Sequence, residues 1–549
     1  MPKSEDDIDL DGVLNEIGQF GRFQIRQYGL MVIPIILNAF FTLSYVFTAG
    51  NLNYRCEVPG CDNGPNAVYH PGWLNNTVPF KHGIPAQCER FRPISNASLD
   101  NLLCDADEFD QTSIIGCDSF IYEDDEVTIV NDFNITCPNN DWKLTLVGTI
   151  NNVGQFVALP IAGYISDRFG RRLVLLLSVA GSAIFGVIRS FAASYEMFIA
   201  LEFLDPLIGS TMYTTAFVLA LELVGPKMRV TGNNIISCAF SFAEAGLGLL
   251  AMLLKNWRHL LRALYIPGIV SLPFLWMTTE SVRWLLSKGQ REKAFDVLKK
   301  AAKMNGKTLS PAAIDSFCPV SDNESRSEML ENNNFFNLLT NAFKNRRLIL
   351  RVANCSFCWL TNVLVYFGLS LNSVTLAGDK YLNFILVSLV ELPGFLIMQL
   401  ILDRVGRRIT LCTTMILCGL FCFLSEFIPT GNHWLSLILF LVSKMAITMS
   451  FGTLYIYTVE IFPTNLRQSL LSVCSMFGRI GSMVAPQTPL LAKIWAPLPM
   501  VIFGSIGIAS GLAILEFPET LNTQLPNTVE EAMNMKTEDE GNKGRERLA

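Results

Sequence analysis

Six ionisable residues stand inside long apolar runs of this chain: Glu202, Asp205, Glu244, Glu391, Lys444 and Arg479. A charge at the middle of a membrane-crossing run costs roughly 2.5–3.5 kcal/mol on insertion scales, so such a residue is expected to face a cavity and mark function. Glu391, beside Pro393 in its run, and Arg479, deep in another run, carry opposite signs. Brought to one cavity they would form a bipolar site, one end for a cation and the other for a carboxylate. The alternative is an ion pair that only holds the bundle. Lys444 is a second buried cation that could anchor an anion. Trp359, Asn362 and Tyr366 are spaced i, i+3 and i+7 and so share a helix face. Aromatic residues on such a face more often pack than bind, yet lipid does not favour the Asn among them, and aromatic faces attract an ammonium. Asn38, near the helix-bending Pro34, could also line a cavity. Arg189, Glu426 and Lys493 lie near the ends of their runs, where charged heads can snorkel to water.

The elements that position these residues follow from composition. Of 549 residues, 50% are hydrophobic, only 16% are charged and 38 are Phe. A soluble domain carries about 25% charged residues, and the mean hydropathy of +0.36 says that much of the chain need not face water. A disordered scaffold and a cytosolic repeat protein are excluded. The net charge of −6 argues against a nucleic-acid partner. With four His, and without HExxH, paired CxxC, GxSxG or Walker sequences, no metal site, cofactor or enzymatic nucleophile is expected. Crossing a bilayer takes roughly 20 apolar residues. Twelve runs qualify, near 28–49, 144–165, 173–192, 196–220, 231–253, 260–278, 348–370, 381–402, 409–428, 434–457, 468–491 and 498–516. The expectation is an all-α membrane protein with twelve transmembrane helices.

Residues 1–27 are polar and lack a signal peptide's basic start and cleavage site, which places the N-terminus in the cytoplasm. The 93-residue segment 50–142 holds six of the 14 Cys (Cys56, Cys61, Cys88, Cys104, Cys117 and Cys137), and sequons at Asn75, Asn96 and Asn134. An even Cys count with glycan acceptors reads as an oxidised, extracellular, disulfide-bonded subdomain; its pairing is open, since six Cys allow 15 connectivities. Basic residues fall where cytoplasmic connections should be: Arg168, Arg171 and Arg172; Lys227 and Arg229; Arg404, Arg407 and Arg408. The domain plan is therefore an N-terminal half at 28–278, a cytoplasmic linker at 279–347 with a basic amphipathic stretch at Arg291 to Lys300, a C-terminal half at 348–516, and a cytoplasmic tail at 517–549 without fixed structure.

The halves repeat. Asp167-Arg168-Phe169-Gly170-Arg171-Arg172 returns as Asp403-Arg404-Val405-Gly406-Arg407-Arg408 at an offset of 236 residues. Glu222 and Arg229 return as Glu460 and Arg467, and Glu280 as Glu519, at offsets of 238 and 239. Lipid phosphates alone would explain basic helix ends, but not the preceding Asp or the constant offset. Asp167, Arg168, Arg171, Arg172, Asp403, Arg404, Arg407, Glu222, Arg229, Glu460 and Arg467 read as gating residues that latch the cytoplasmic side. Parallel repeats of this kind are the arrangement of major facilitator transporters, with the substrate site between the halves.

The whole chain resembles the organic cation, carnitine and organic anion transporter family of the major facilitator superfamily. The likeness rests on the large Cys-rich first outer loop, the Asp-Arg-Phe-Gly-Arg-Arg sequence, Glu280 to Leu286, and Phe517-Pro518-Glu519-Thr520. Tyr213 to Gly225, Trp359 to Leu371 and Lys444 to Thr464 look most like the carnitine and zwitterion branch. The resemblance implies that Trp359 and Tyr366 cage an ammonium, that Glu391 supplies negative charge, and that Arg479 takes a position where the cation branch has an acid. Glu202, where many facilitators have a basic residue, Asp205 and Glu244 depart from the family pattern and could serve protons or Na⁺. The expected function is a plasma-membrane carrier of small organic cations or zwitterions. An organic anion exchanger anchored on Arg479 and Lys444 is the runner-up, and a receptor using the outer loop is a third reading.

Overall fold

The computed structural model describes residues 10–18, 20–62, 67–81, 84–94, 104–224, 228–310, 346–428, 432–463, 466–521, 526 and 529–534. Asn96 and the part of the linker from 311 to 345 lie outside them. Twelve long helices follow one another: α1 (Arg22–Thr48), α2 (Asp141–Phe169), α3 (Arg171–Arg189), α4 (Tyr195–Glu222), α5 (Arg229–Leu254), α6 (Trp257–Leu275), α7 (Arg346–Asn372), α8 (Lys380–Val405), α9 (Arg407–Glu426), α10 (His433–Ile461), α11 (Arg467–Val484) and α12 (Leu498–Ala513). Among the described residues nine of them are apolar and long enough to cross a membrane. α2 and α11 face each other where the two halves meet. There Thr149 Oγ1 donates to the Met483 carbonyl (3.2 Å), and Arg479 Nη1 donates to Gln155 Oε1 (3.2 Å).

The repeat read from the sequence is a repeat of structure. At Gly170 and Gly406 the chain turns from α2 into α3 and from α8 into α9, with φ of 99° and 103°. Such a backbone is open essentially to glycine alone. The turn exposes the amides of the next helix, and a carboxylate from a distant segment of the same half accepts from them. Glu280 Oε1 takes the amides of Arg171 (3.0 Å) and Arg172 (3.3 Å), and Glu519 takes those of Arg407 (2.9 Å) and Arg408 (3.1 Å). A carboxylate at a helix N-terminus satisfies orphan amides and complements the helix dipole. The arginine side chains repeat as well: Arg171 and Arg407 donate to the carbonyls of Ser166 and Leu402, Arg172 and Arg408 to those of Trp276 and Leu515.

The linker helix Arg291–Asn305 docks beside the start of α1, where Asn305 Oδ1 accepts from the Phe23 amide (2.8 Å). One described stretch of the tail packs on the bundle. Ala532, on the short helix Val529–Asn534, is fully buried, and its carbonyl accepts from Arg351 (2.6 Å). An arginine close to the membrane boundary thus holds a segment whose own residues carry little apolar signal.

The segment between α1 and α2 forms three two-stranded antiparallel ribbons: Tyr54–Cys56 with Phe120–Tyr122, Phe80–Lys81 with Ile84–Pro85, and Glu89–Pro93 with Phe109–Gly116. The cystines are Cys56–Cys117, Cys61–Cys104 and Cys88–Cys137. Arg55, wholly buried, organises one lobe by pairing with Asp62 (2.8 Å) and donating to the carbonyls of Tyr69 and Val68. The sequon residues Asn75 and Asn134 are exposed.

A Cβ at Gly170 would stand 2.4 Å from the Glu280 carboxylate, and one at Gly406 2.7 Å from that of Glu519. Gly170→Ala and Gly406→Ala should each lower stability by about 1–3 kcal/mol, while Gly72→Ala, with open space around it, should not. Thermal unfolding of the purified variants measures this; an unchanged melting temperature for both turn variants would contradict the shared design.

Candidate functional site

Glu391 opens the second helical stretch of α8, next to Pro393, and Lys444 projects from α10. Both are completely buried and form an ion pair at 2.9 Å. Lys444 Nζ also donates to Ser370 Oγ (2.7 Å) and the Tyr366 carbonyl (3.2 Å), and stands 3.3 Å from the centre of the Tyr366 ring. The N-terminal half joins in from α5, where Ser241 Oγ donates to Glu391 Oε2 (2.6 Å). Glu244, one turn further along α5, is 1% exposed, and its Oε1 has no hydrogen-bond partner among the described residues. It faces the same Glu391–Lys444 pair. Two carboxylates therefore share one ammonium, leaving the cluster one positive charge short.

This bears on two readings of the sequence, Lys444 as an anchor for an anion and the alternative of an Arg479–Glu391 ion pair. Lys444 is neutralised by Glu391 and is not a free anchor for an anion. Arg479 does not pair with Glu391: among the described residues no carboxylate pairs with it, and its hydrogen bond is to Gln155, with Tyr213 beside it. Lys444 wins the carboxylate because α10 packs directly against α8 within one half.

Aromatic rings line the ground between these charges. Tyr366 packs on Phe451 (5.8 Å between centroids), Trp359 on Phe451 (6.0 Å) and Tyr455 (5.9 Å), and Phe217 reaches Tyr455 across the halves (6.3 Å) with Tyr213 stacked on it. Trp359 Nε1 donates to Thr458 Oγ1 (3.0 Å), which fixes the indole. Asn362, on the same face of α7, is not at this wall. It is wholly buried and donates to Ser450 Oγ of α10 (2.6 Å), so that polar member of the face serves helix packing.

A second buried charge cluster lies inside the N-terminal half. Arg189 was expected to snorkel; instead it is fully buried, pairing with Glu202 (2.5 Å) and Asp205 (3.3 Å). Two acids on α4 outweigh the reach to water, because each would otherwise be unpaired in an apolar interior. Tyr265 and Ser182 donate to Asp205, and Asn151 to Glu202 (2.8 Å). Asn38 borders a cavity of about 10 Å³ beside this cluster, together with Asn151, Gln155 and Asp205. Lys493 is exposed, as its place near the end of its run implies, and it pairs with Asp141 across the halves, as Lys380 does with Glu126. These bridges close the bundle at the end bearing the cystines, around a cavity of about 170 Å³.

At the opposite end, Arg407 bonds Asp403 (3.1 Å) and Glu460 (3.3 Å), and Glu460 accepts from Thr520 Oγ1 (2.6 Å). Arg467 lies in the field of Glu460. Arg168 and Arg404 are exposed, and Glu222 is half-buried at the end of α4. The side chains of Asp167 and Arg229 lie outside the described residues.

Two six-helix halves related by an internal repeat, with buried charges and a polar seam between them, define a multi-pass membrane transporter. The Major Facilitator Superfamily model matches residues 127–486 and 357–532. The chain is 32% identical to the Homo sapiens organic cation/carnitine transporter 2, with 96% of this chain and 94% of the relative covered. It is 31% identical to the Drosophila melanogaster organic cation transporter protein (95% and 94%) and 32% identical to Mus musculus solute carrier family 22 member 3 (95% and 95%). The chain belongs to the Major Facilitator Superfamily and, within it, to the solute carrier family 22 group of organic cation and carnitine transporters. Among solved structures, its fold is similar to the partially occluded, inward-open xylose transporter XylE from E. coli, with a TM-score of 0.58 at 16% identity over 91% of this chain and 99% of that one.

Ser241, Tyr213, Phe451, Tyr455 and the pair Asn151 and Gln155 were not singled out by sequence. Only Asn151 and Gln155 left a signal, as amides four apart in an apolar run. Removing one member of the Glu391–Lys444 pair should cost about 3–5 kcal/mol. Lys444→Met alone should therefore reduce folded protein, and Glu391→Gln added to it should restore most of the loss. Detergent-solubilised melting curves of the two singles and the double read the coupling, and additive losses would contradict it.

Proposed function

We propose that this protein is a plasma-membrane carrier that moves small amine-bearing zwitterions, and organic cations of similar size, by rocking its halves about the seam between α2, α5, α7, α8, α10 and α11. The observation that carries this is the pairing pattern: among the described residues Arg479 has a guanidinium with no carboxylate on it, while Glu244 and Glu391 share one lysine. One end of the site has positive charge to offer a carboxylate, the other has negative charge to offer an ammonium, and Trp359, Tyr366, Phe451 and Tyr455 lie between. An ammonium over such rings gains up to about 2 kcal/mol when desolvated. The names of the similar proteins, which include cation and carnitine carriers, agree with a substrate bearing an amine. Lys444, committed to Glu391, disfavours the anion-exchanger reading.

In this reading the cystine-bearing segment, with Asn75, Asn96 and Asn134 as glycan acceptors, faces outward, and the arginine turns, the linker and both termini face the cytoplasm. The bridges Lys493–Asp141 and Lys380–Glu126 then close the outer side. The arginine turns and Glu460 hold each half's inner end in register as the cavity changes sides.

Uptake of labelled carnitine, β-alanine, a quaternary amine and a dicarboxylate into expressing cells tests the substrate class. Arg479→Ala should weaken carnitine uptake roughly 10- to 150-fold in affinity, the worth of a charge-assisted contact of about 1.5–3 kcal/mol, and spare the quaternary amine. Glu244→Gln should weaken both amine-bearing substrates. Equal loss across all substrates with reduced surface protein would instead make these charges structural.

A further inference from the structure

The Arg189–Glu202–Asp205 cluster has no part in that site, and its chemistry is unusual for an apolar interior. Two carboxylates face one guanidinium, all essentially without solvent exposure. The groups facing them from neighbouring helices are Ser44 and Tyr45 on α1, Asn151 on α2, Ser182 on α3 and Tyr265 on α6, and none supplies a second positive charge. Arg258 and Arg262 are turned away to Ser190. A net charge of −1 in a medium of low polarity calls for one more cation. The carboxylate oxygens are occupied by N–H and O–H donors, which leaves no oxygen cage for a metal ion of Na⁺ type. A proton needs only one oxygen.

Glu202 is the better receiver. Asp205 accepts from Ser182, Tyr265 and Arg189, whereas Glu202 accepts from Arg189 and Asn151. Fewer donors stabilise its charged form less. The cavity of about 10 Å³ bordered by Asn38, Asn151, Gln155, Ser182 and Asp205 has room for about one water, which would reach the cluster beside Asp205 and Asn151 and not at Glu202 itself.

What makes the cluster more than a buried charge is a chain of amides leading out of it. Asn151 Nδ2 donates to Glu202 Oε1 (2.8 Å), Gln155 Nε2 donates to Asn151 Oδ1 (2.9 Å), and Gln155 Oε1 accepts from Arg479 Nη1 (3.2 Å). Every donor points toward the acid, and the last acceptor points across the seam at Arg479. We propose that Glu202 is a proton-binding site whose occupancy is relayed through Asn151 and Gln155 to Arg479, so that a proton and a carboxylate-bearing substrate bind cooperatively. The proton comes from water and ends on a Glu202 oxygen, taking the cluster from −1 to neutral. The new O–H donates to Asn151 Oδ1, the Asn151 amide turns over, and its NH₂ then meets Gln155. Gln155 turns in response and presents its own NH₂ to Arg479. Donor against donor, Arg479 loses its protein acceptor and is released to the substrate carboxylate. The inference rests on Arg479 receiving that carboxylate; the cation end of the site plays no part in it.

Two measurements test it. In proteoliposomes, the KM for carnitine should fall by about 5-fold or more from pH 7.5 to pH 5.5, a coupling of ordinary size, while that for tetraethylammonium, which has no carboxylate, should not move. Glu202→Gln should hold the carnitine KM at its acidic value at both pH values, whereas Asp205→Asn, which neutralises the cluster while Glu202 stays a carboxylate accepting from Asn151, should hold it at its pH 7.5 value. Asn151→Leu should keep proton binding and lose the pH dependence of KM. The second measurement needs no substrate: pH-difference infrared spectra of the reconstituted protein should show a protonated-carboxyl band that Glu202→Gln removes and Asn151→Leu retains. Carnitine uptake that is flat with pH, or follows Na⁺ alone, would overturn the relay and leave the zwitterion reading intact. If no amine-bearing substrate moves, that reading fails, and absence of the infrared band would separately overturn the proton site.

Discussion

A charge in hydrocarbon has neither water nor counter-ions, so each one buried in this chain must be matched by another side chain, by a ligand, or by a proton. Most of the organisation of the bundle follows from how that matching is done. Lys444 answers Glu391 inside the C-terminal half, and Arg189 answers Glu202 and Asp205 inside the N-terminal half. Each match is one charge short when its neighbouring acid is counted. Arg479 at the seam is the complementary surplus, held by an amide in place of a carboxylate. Imbalance within a half costs stability; in the proposed function, imbalance directed at the seam is what a mobile ligand completes.

The same constraint shapes the ends of the bundle. Helix termini near the membrane boundary expose amides that must be satisfied, and both halves solve this with one device: a glycine turn, two arginines and a glutamate from the segment following the sixth helix. Because Glu280 and Glu519 each bind the turn between the second and third helices of their own half, they tie the beginning of each six-helix unit to its end. A unit fastened in this way can move as a body. The bridges that cross between halves, at Asp141–Lys493 and Glu126–Lys380, lie instead at the cystine-bearing end, where a change of access has to break them.

Aromatic packing gives the seam its other property. Phe217 and Tyr455 meet across the halves, and Trp359, Phe451 and Tyr366 continue the wall to Lys444. Rings at these distances exclude water while presenting negative faces to a cation, so the electrostatics of both ends act in a medium of low polarity.

The sequence by itself determined the class of molecule. Twelve apolar runs, an outer Cys-rich segment, basic connections and a repeat near 236–239 residues are properties of composition and spacing, which survive without knowing any contact. The positions of buried charge were equally legible, because an acid or base in an apolar run is conspicuous wherever it points. Partnership was not. Glu391 and Arg479 were natural partners by sign, but sign has no direction. Which charges meet depends on which helices pack together, and α8 packs on α10 within one half while α11 faces α2 across the seam. For the same reason Asn362 shares a face with Trp359 and Tyr366 yet is occupied by Ser450, and Arg189 near a helix end turns inward to two acids. The cystine pairing and the amide chain from Glu202 to Arg479 also needed the fold, since they join residues far apart in sequence through geometry that local pattern does not encode.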